Sequence, residues 1–200
     1  MLETLNDIPW SKLRHAYGPA KDVPTQIRQL ASAQKETREK ALWELYGNIF
    51  HQGTRYQATP YAVPFLFELL ASPAVADRHE IVYLLVNLAL GYEEEYLPDG
   101  LDVMAFRQQL AASEQQLSSA DRAECKRYGY GPHIDLDCYD AVQTRAGQFL
   151  LLLTEEDAQL RRAAIYALAW FSENTDQSLS ALGHHLHTAA EESEIANTLL

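Results

Sequence analysis

Two hundred residues with 47% hydrophobic side chains make one domain or one elongated array, with enough apolar material for a substantial core. Sixteen Lys and Arg against 28 Asp and Glu leave a formal charge of −12, which repels phosphate backbones and anionic membranes at long range and favours basic partners. Cys125 and Cys138 are too few for a disulfide framework. Met1–Pro9 has no apolar leader, and no apolar run reaches the roughly 18 residues of a membrane span. The expectation is a cytoplasmic chain with free thiols and no membrane contact.

Residues 1–21 read as an N-terminal cap, with Ile8, Trp10, Leu13 and Tyr17 spaced to cover the first helix of the array. Asp22 is a candidate N-cap for a short helix carrying Val23, Pro24, Ile27 and Leu30. After a turn at Ser32–Lys35, the stripe Leu42, Leu45, Tyr46, Ile49 and Phe50 has the 3.6-residue period of an amphipathic helix. His51–Thr54 breaks that pattern, and Gly53 offers the positive φ of a sharp helix stop. Thr59-Pro60 restarts a helix, Thr59 as N-cap and Pro60 at its first position. Val63, Phe65, Leu66, Phe67, Leu69 and Leu70 put apolar residues on more than one face of it, so it needs cover on more than one side. Pro64 is assigned to the first turn, where its missing N–H costs little.

The chain also repeats. Leu30-Ala31-Ser32 leads into Arg38, Ala41 and Leu45. Leu70-Ala71-Ser72-Pro73 leads into His79, Val82 and Val86 about 40 residues later, and Leu153-Thr154 leads into Arg161, Ala164 and Leu168. Leu186-His187-Thr188 opens a shorter last unit. Between the second and third units lies an irregular segment, 92–136. It holds a solvated loop, a helix from Asp102 to Leu117 with Val103, Phe106 and Leu110 inward, and a capping box at Ser118–Asp121. Tyr128-Gly129-Tyr130-Gly131-Pro132-His133 reads as a loop. One long helix is expected over Tyr139–Leu153 with Val142, Ala146, Phe149, Leu150 and Leu153 inward, then a second capping box at Thr154…Asp157 and a helix to Phe171.

These units resemble HEAT repeats of the phycobilin-lyase HEAT-like type, and the run from Asp157 to Leu168, DAQLRRAAIYAL, carries the likeness best. The hairpin WELYGNIFHQGTRYQAT with a later CYDAV helix is also similar to uncharacterised bacterial HEAT-repeat proteins. In that family a turn acid precedes an arginine of the second helix, then alanines and a leucine; the first unit here has no turn acid, only Arg38, and in the second Asp77 comes late and His79 stands in the arginine's place. The resemblance implies an all-α fold, a right-handed α-α superhelix (solenoid) of HEAT-like helix pairs with one irregular or inserted segment. Its parts are two repeats over 22–91, the segment 92–136, a repeat over 137–175 and a partial terminal repeat over 176–200. Ile195, Leu199 and Leu200 then lack a following unit, which implies truncation or burial of this end in a homodimer.

His51, Tyr56, Tyr128, Tyr130 and His133 are the candidate binding residues. The first two sit with Tyr61 at the central turn. The others lie in a Tyr-Gly-Tyr-Gly-Pro loop, whose rigid aromatics have the chemistry of a recognition surface. The plain alternative for His51 is bonding to helix-end carbonyls, and for the tyrosines packing against the helices. His184, His185 and His187 with Glu191 and Glu192, and His133 with Asp135, Asp137 and Cys138, lack the converging ligands of a metal site. No phosphate loop, nucleophile elbow or HExxH motif is present. The expectation is a non-catalytic protein-binding scaffold with no cofactor, no metal and a protein partner of basic charge. The alternatives are a DNA-processing protein of the HEAT-like glycosylase type, against which the charge argues, and a chromophore or small-molecule lyase by fold analogy alone.

Overall fold

The computed structural model describes residues 1–97, 99–171 and 178–183. Helix dominates them. The α-helices are α1 (Val23–Gln29), α2 (Lys35–Asn48), α3 (Thr59–Leu70), α4 (Arg78–Leu90), α5 (Val103–Gln116), α6 (Ser119–Tyr128), α7 (Pro132–Gln143) and α8 (Ala158–Leu168). The strands among the described residues form two small antiparallel hairpins, β1 (Arg14–His15) with β2 (Gly18–Pro19) and β3 (Phe50–His51) with β4 (Thr54–Arg55). The expected terminal unit, with its histidines and the apolar end at Ile195–Leu200, lies outside the described residues apart from a helical stretch at 178–183.

Successive helices pair: α1 packs on α2, α3 on α4, and α8 on a 3-10 helix, Ala146–Thr154. The pairs touch one another through α1 on α3, α3 on α7, and α4 on both α7 and α8. The centre is α3, whose Ala62, Val63, Phe65, Leu66, Phe67, Leu69 and Leu70 are all buried, as its all-round apolar sequence demands. Each large side chain there contributes about 1.5–3 kcal/mol by leaving water. An aromatic chain runs outward from it. Phe67 meets Phe149 (5.3 Å between centroids), Phe149 meets Phe171, Phe171 meets Tyr139, and Tyr139 meets Phe106 of α5 (5.4 Å).

One arginine opens each of α2, α4 and α8, and these three set the register. Arg38 Nη1 donates to the carbonyls of Ser32 and Ala33, and Arg161 Nη1 to those of Glu155 and Glu156, the same offsets in both turns. Arg38 also reaches forward, donating from Nε (2.9 Å) and Nη2 (2.7 Å) to Asp77 Oδ2 in the turn before α4. Arg78, 8% exposed, donates to the Leu70 carbonyl and, through both Nη atoms, to the Glu155 carboxylate at 3.0 and 2.9 Å before α8. The second unit is therefore in register one residue earlier than its sequence suggests. Arg78, Ile81 and Leu85, not His79, Val82 and Val86, correspond to Arg38, Ala41, Leu45 and to Arg161, Ala164, Leu168. Asp77 absorbs the offset with a left-handed backbone (φ 53°), a conformation that costs a non-glycine residue roughly 1 kcal/mol or more.

Other expectations change at the element ends. Leu5 and Trp10 cap the N-terminal side, Trp10 donating to the Leu5 carbonyl at 2.7 Å, while Tyr17 is 70% exposed. Gly53 does not stop α2 alone. Gln52 and Gly53, at φ 51° and 81°, form the turn of the β3–β4 hairpin, the positive pair a two-residue hairpin needs. Asp22 and Thr59 make no side-chain cap on their own helices. The Thr59 hydroxyl instead donates to the Ile49 carbonyl (2.6 Å) and accepts from the Tyr56 amide (2.9 Å), locking the end of α2 to the start of α3. Pro64 lies inside α3 rather than in its first turn, which leaves the Pro60 carbonyl without its intrahelical donor. The Ser118–Asp121 capping box is present, but before α8 Asp157 caps alone, accepting from the Gln159 and Leu160 amides. The long helix over Tyr139–Leu153 is two elements. α7 begins at Pro132 and ends at Gln143, and the 3-10 helix that comes next buries Ala146, Phe149 and Leu152 at a spacing of three, the period of that helix, while Leu151 stays 71% exposed.

Arg78→Ala leaves Glu155 and the Leu70 carbonyl without their donor, and because the carboxylate is 30% exposed the expected loss is about 2–3 kcal/mol in a urea titration. The Arg78 hydrogen bonds hold the Glu155 carboxyl below its ordinary value of 4.5. Its stabilisation is therefore complete above that pH and is lost as pH falls through the lower folded value. The wild type is expected to lose stability more steeply below pH 4.5 than Glu155→Gln, read from unfolding midpoints across that range.

Candidate functional site

The sequence singles out five residues, and the structure sets them along one edge, where the two hairpins and the α6–α7 connection meet. A polar network anchors this edge. The Tyr17 amide donates to His15 Nδ1 (3.0 Å), so the ring proton sits on Nε2 and faces Asp22 Oδ1 at 2.8 Å. The other Asp22 oxygen accepts from Gln26 and Asn48 (3.1 and 3.0 Å), joining the first hairpin to α1 and α2. Asp22, a cap by its sequence position, is thus a tie between three elements.

His51, half-buried on β3, pairs with the exposed Tyr17: its Nδ1 lies 3.4 Å from the hydroxyl and the rings meet edge-on at 5.4 Å. Tyr56 is buried, and its ring meets Tyr130 edge-on at 6.5 Å. Burial first, and Tyr17 second, raise its hydroxyl above the ordinary value. Tyr130 donates to Glu124 at 2.9 Å, and that bond is the main reason its hydroxyl is pushed up to about 12. His133 is exposed, with Nδ1 3.3 Å from Glu114. Tyr128 is 44% exposed and lies under Arg127 at 5.3 Å.

The expected recognition loop is short. Tyr128 closes α6, Gly129 is its left-handed cap (φ 77°), and Pro132 already belongs to α7. The connection docks inward: the Gln57 amide donates to the Gly129 carbonyl at 2.8 Å, and a Cβ on Gly129 would meet Arg14 Cβ at 2.8 Å. Tyr56 and Tyr130 therefore meet where the second hairpin docks on the end of α6. A shallow pocket of about 260 Å³ opens between Tyr130, His133, Cys125 and Arg122. Burial raises the thiols of Cys125 and, well above the ordinary value, Cys138, so neither is a thiolate nucleophile at neutral pH. Among the described residues, no three His, Cys, Asp or Glu side chains are grouped to hold a metal ion, and no helix is long and apolar enough to cross a membrane.

A larger surface depression lies between α2 and α4. α2 and α4 enclose a groove of about 500 Å³ between Trp43, Leu42, Tyr46 and Ile81, edged by Glu39 and Glu80. Trp43 is 76% exposed. In the arginine register it corresponds to Tyr83 and Tyr166, which meet each other at 5.5 Å and extend to Trp170. In the sequence Trp43 stands out only as an aromatic residue. The signal for the surface is its place off the Ala41–Leu45 face that α2 buries. Two cations, Lys35 and Arg38, face three acids, Glu39, Asp77 and Glu80, in this groove. Lys35 approaches Glu39 at 3.5 Å and Arg38 is engaged with Asp77, while Glu80 lies 3.5 Å from the His79 ring and close to Tyr83, whose hydroxyl is raised by burial first and by Glu80 second.

Comparison with models of known families, with curated proteins and with solved structures finds no match in any of the three.

Gly129→Ala forces both a side chain into the Arg14 contact and a strained positive φ. The expected cost is about 1–3 kcal/mol in equilibrium unfolding, with faster amide hydrogen exchange at Gln57, whose bond to this residue closes the edge.

Proposed function

We propose that the chain is a non-catalytic protein-binding module of the cytoplasm, built as a HEAT-like right-handed superhelix of stacked helix pairs, whose groove between α2 and α4 takes a basic segment of a partner protein. The stacking reading is supported by the shared arginine register of α2, α4 and α8 and by the packing of α3 and α4 on their neighbours. The single observation that carries the binding reading is Trp43, an indole 76% exposed at the mouth of an acid-edged groove. Leaving so large an apolar ring in water forgoes the stabilisation its burial would bring, and tryptophan is among the residues enriched in binding hot spots.

The groove suits a lysine or arginine side chain. A cation over the Trp43 face gains a cation–π attraction of about 0.5–2 kcal/mol, while Glu80 at the groove edge supplies the opposite charge. The chain's net charge of −12 adds long-range steering of a basic partner. Loop-edge residues such as His51, Tyr56 and Tyr130 then serve to hold the hairpins together, with Tyr128 and His133 left as a smaller exposed patch.

A panel of short lysine- and arginine-containing peptides with neutral and acidic counterparts tests this by fluorescence of the indole. Basic peptides are expected to bind and to shift Trp43 emission. Trp43→Ala is expected to lose at least about tenfold in affinity at unchanged thermal stability, and raising salt from about 0.05 to 0.5 M is expected to weaken binding further. Equal binding of acidic peptides, or full binding by Trp43→Ala, removes the proposal.

A further inference from the structure

The segment between α4 and α7 does more than interrupt the array: it lines a third, half-open cavity. α5 packs on α7, and between α5, the β3–β4 hairpin and the residues after α4 lies a space of about 640 Å³, within the range of small-molecule sites. One wall is aromatic, from Tyr92, Tyr96 and Phe106, the last two edge-on at 6.1 Å. The floor is the guanidinium of Arg55.

Arg55 is 7% exposed, unusual for a residue that seldom leaves water. Its Nη1 donates to the Gly53 carbonyl at 2.8 Å. Its Nε lies 3.1 Å from Asp135 Oδ1 on α7, yet the N–H is not directed at that oxygen, so Nε makes no hydrogen bond. A buried guanidinium with five donors thus makes one hydrogen bond among the described contacts, where buried donors are ordinarily paired. Two glycines leave it room: a Cβ at Gly91 would collide with Arg55 Nη1, and one at Gly53 would meet the Tyr92 ring at 2.9 Å. Both glycines hold positive φ, 81° at Gly53 and 86° at Gly91. The chain gives up two side chains here so that a charged floor and an aromatic wall can lie side by side.

Among the described residues, the charges lining the cavity sum to −1, from Arg55 against Asp135 and Glu95. That sum disfavours a simple anion, and the buried guanidinium disfavours a simple cation. A molecule bearing both charges satisfies both ends. We propose that this cavity is a binding site for a small aminocarboxylate of the amino-acid class, its carboxylate accepting from Arg55, its ammonium donating toward Asp135 and Glu95, and its side chain against Tyr92, Tyr96 and Phe106. Burial raises the Asp135 carboxyl, and Arg55 and then His133 draw it back down; an ammonium group beside it acts in the same sense as those cations. The site is separate from the Trp43 groove and stands whether or not that groove binds a protein.

The test is a thermal-shift and calorimetric screen of the intact chain against the proteinogenic amino acids one at a time, at about 10 mM, where a millimolar binder already stabilises measurably. For each one that binds, the matched carboxylic acid without the amine and the amine without the acid are run beside it. At least one amino acid is expected to raise the unfolding temperature saturably, with both single-headed analogues about tenfold weaker or worse. Leu110→Trp adds bulk to the cavity from α5, and is expected to keep a cooperative ligand-free unfolding transition while losing at least about tenfold in affinity. Arg55→Gln is expected to lose binding too; should it not fold, Leu110→Trp still decides. No response to any amino acid overturns the proposal. A single-headed analogue that binds as well overturns the ligand class, and unchanged binding by Leu110→Trp overturns the location.

Discussion

Arginine bonding to helix-turn carbonyls is the constraint on which the rest of this structure depends. A turn between two helices leaves carbonyls without intrahelical donors, and burying those turns between stacked pairs would strand them. Arg38, Arg78 and Arg161 answer this from the first turns of α2, α4 and α8, each donating to the turn before its own helix. Two of them also take a carboxylate from the following unit, Asp77 and Glu155. One side chain thus satisfies its own turn and orients the next. Such partly buried pairs are poor sources of net stability when compared with apolar packing. Their contribution is register: they fix which face of α2, α4 and α8 turns inward.

Once that face is fixed, the remaining side chains are placed by it. Ala41, Leu45, Ile81, Leu85, Ala164 and Leu168 enter the core, and two positions beyond Ala41, Ile81 and Ala164 come Trp43, Tyr83 and Tyr166 on the outer side. Tyr83 and Tyr166 shield each other. Trp43 has no ring neighbour of that kind among the described residues, and its exposure is what distinguishes α2 from the other two. The loop edge behaves differently. It is closed by small exchanges of backbone and side chain, Asp22 with His15, Gln26 and Asn48, Thr59 with Ile49 and Tyr56, and Gln57 with Gly129. Tyrosines at this edge are cross-braces before they are contacts.

How much of this is legible in the sequence depends on the range of the interaction. The apolar periodicity of α1 to α5 is a local property, and their existence can be read directly; so can the Ser118–Asp121 capping box, whose partners are three residues apart. Although the sequence reads α7 and its 3-10 continuation as one helix, it still places Val142, Ala146, Phe149 and Leu153 inward, because burial follows hydrophobicity more than helix type. The misread features are those set by distant partners. Thr59 has every mark of a cap, yet Ile49 claims its hydroxyl. Arg78 looks one residue out of place because a left-handed Asp77 is a poor expectation from sequence and is held by Arg38, 39 residues away. The hairpin at Gln52-Gly53 is hidden because glycine after an amphipathic stretch signals a helix end equally well. Of the site, the acid-edged groove and the Arg55 cavity each draw on elements far apart in the chain, so no window of sequence contains them.

The segment between α4 and α7 has an effect on chain assembly as well as on shape. The Arg38–Asp77 pair closes a loop of 39 residues and the Arg78–Glu155 pair one of 77. Loop-closure entropy grows only with the logarithm of length, so this doubling costs about 0.6 kcal/mol, a fraction of what one buried leucine contributes. The equilibrium penalty for adding α5 and α6 is therefore small. The kinetic penalty is larger, because α4 must wait for α7 and α8 to be found across a long intervening chain, and folding slows as contacts become less local. The chain thus carries a long segment between α4 and α7 with little loss of stability, while giving up the quick assembly that contacts between sequence neighbours allow.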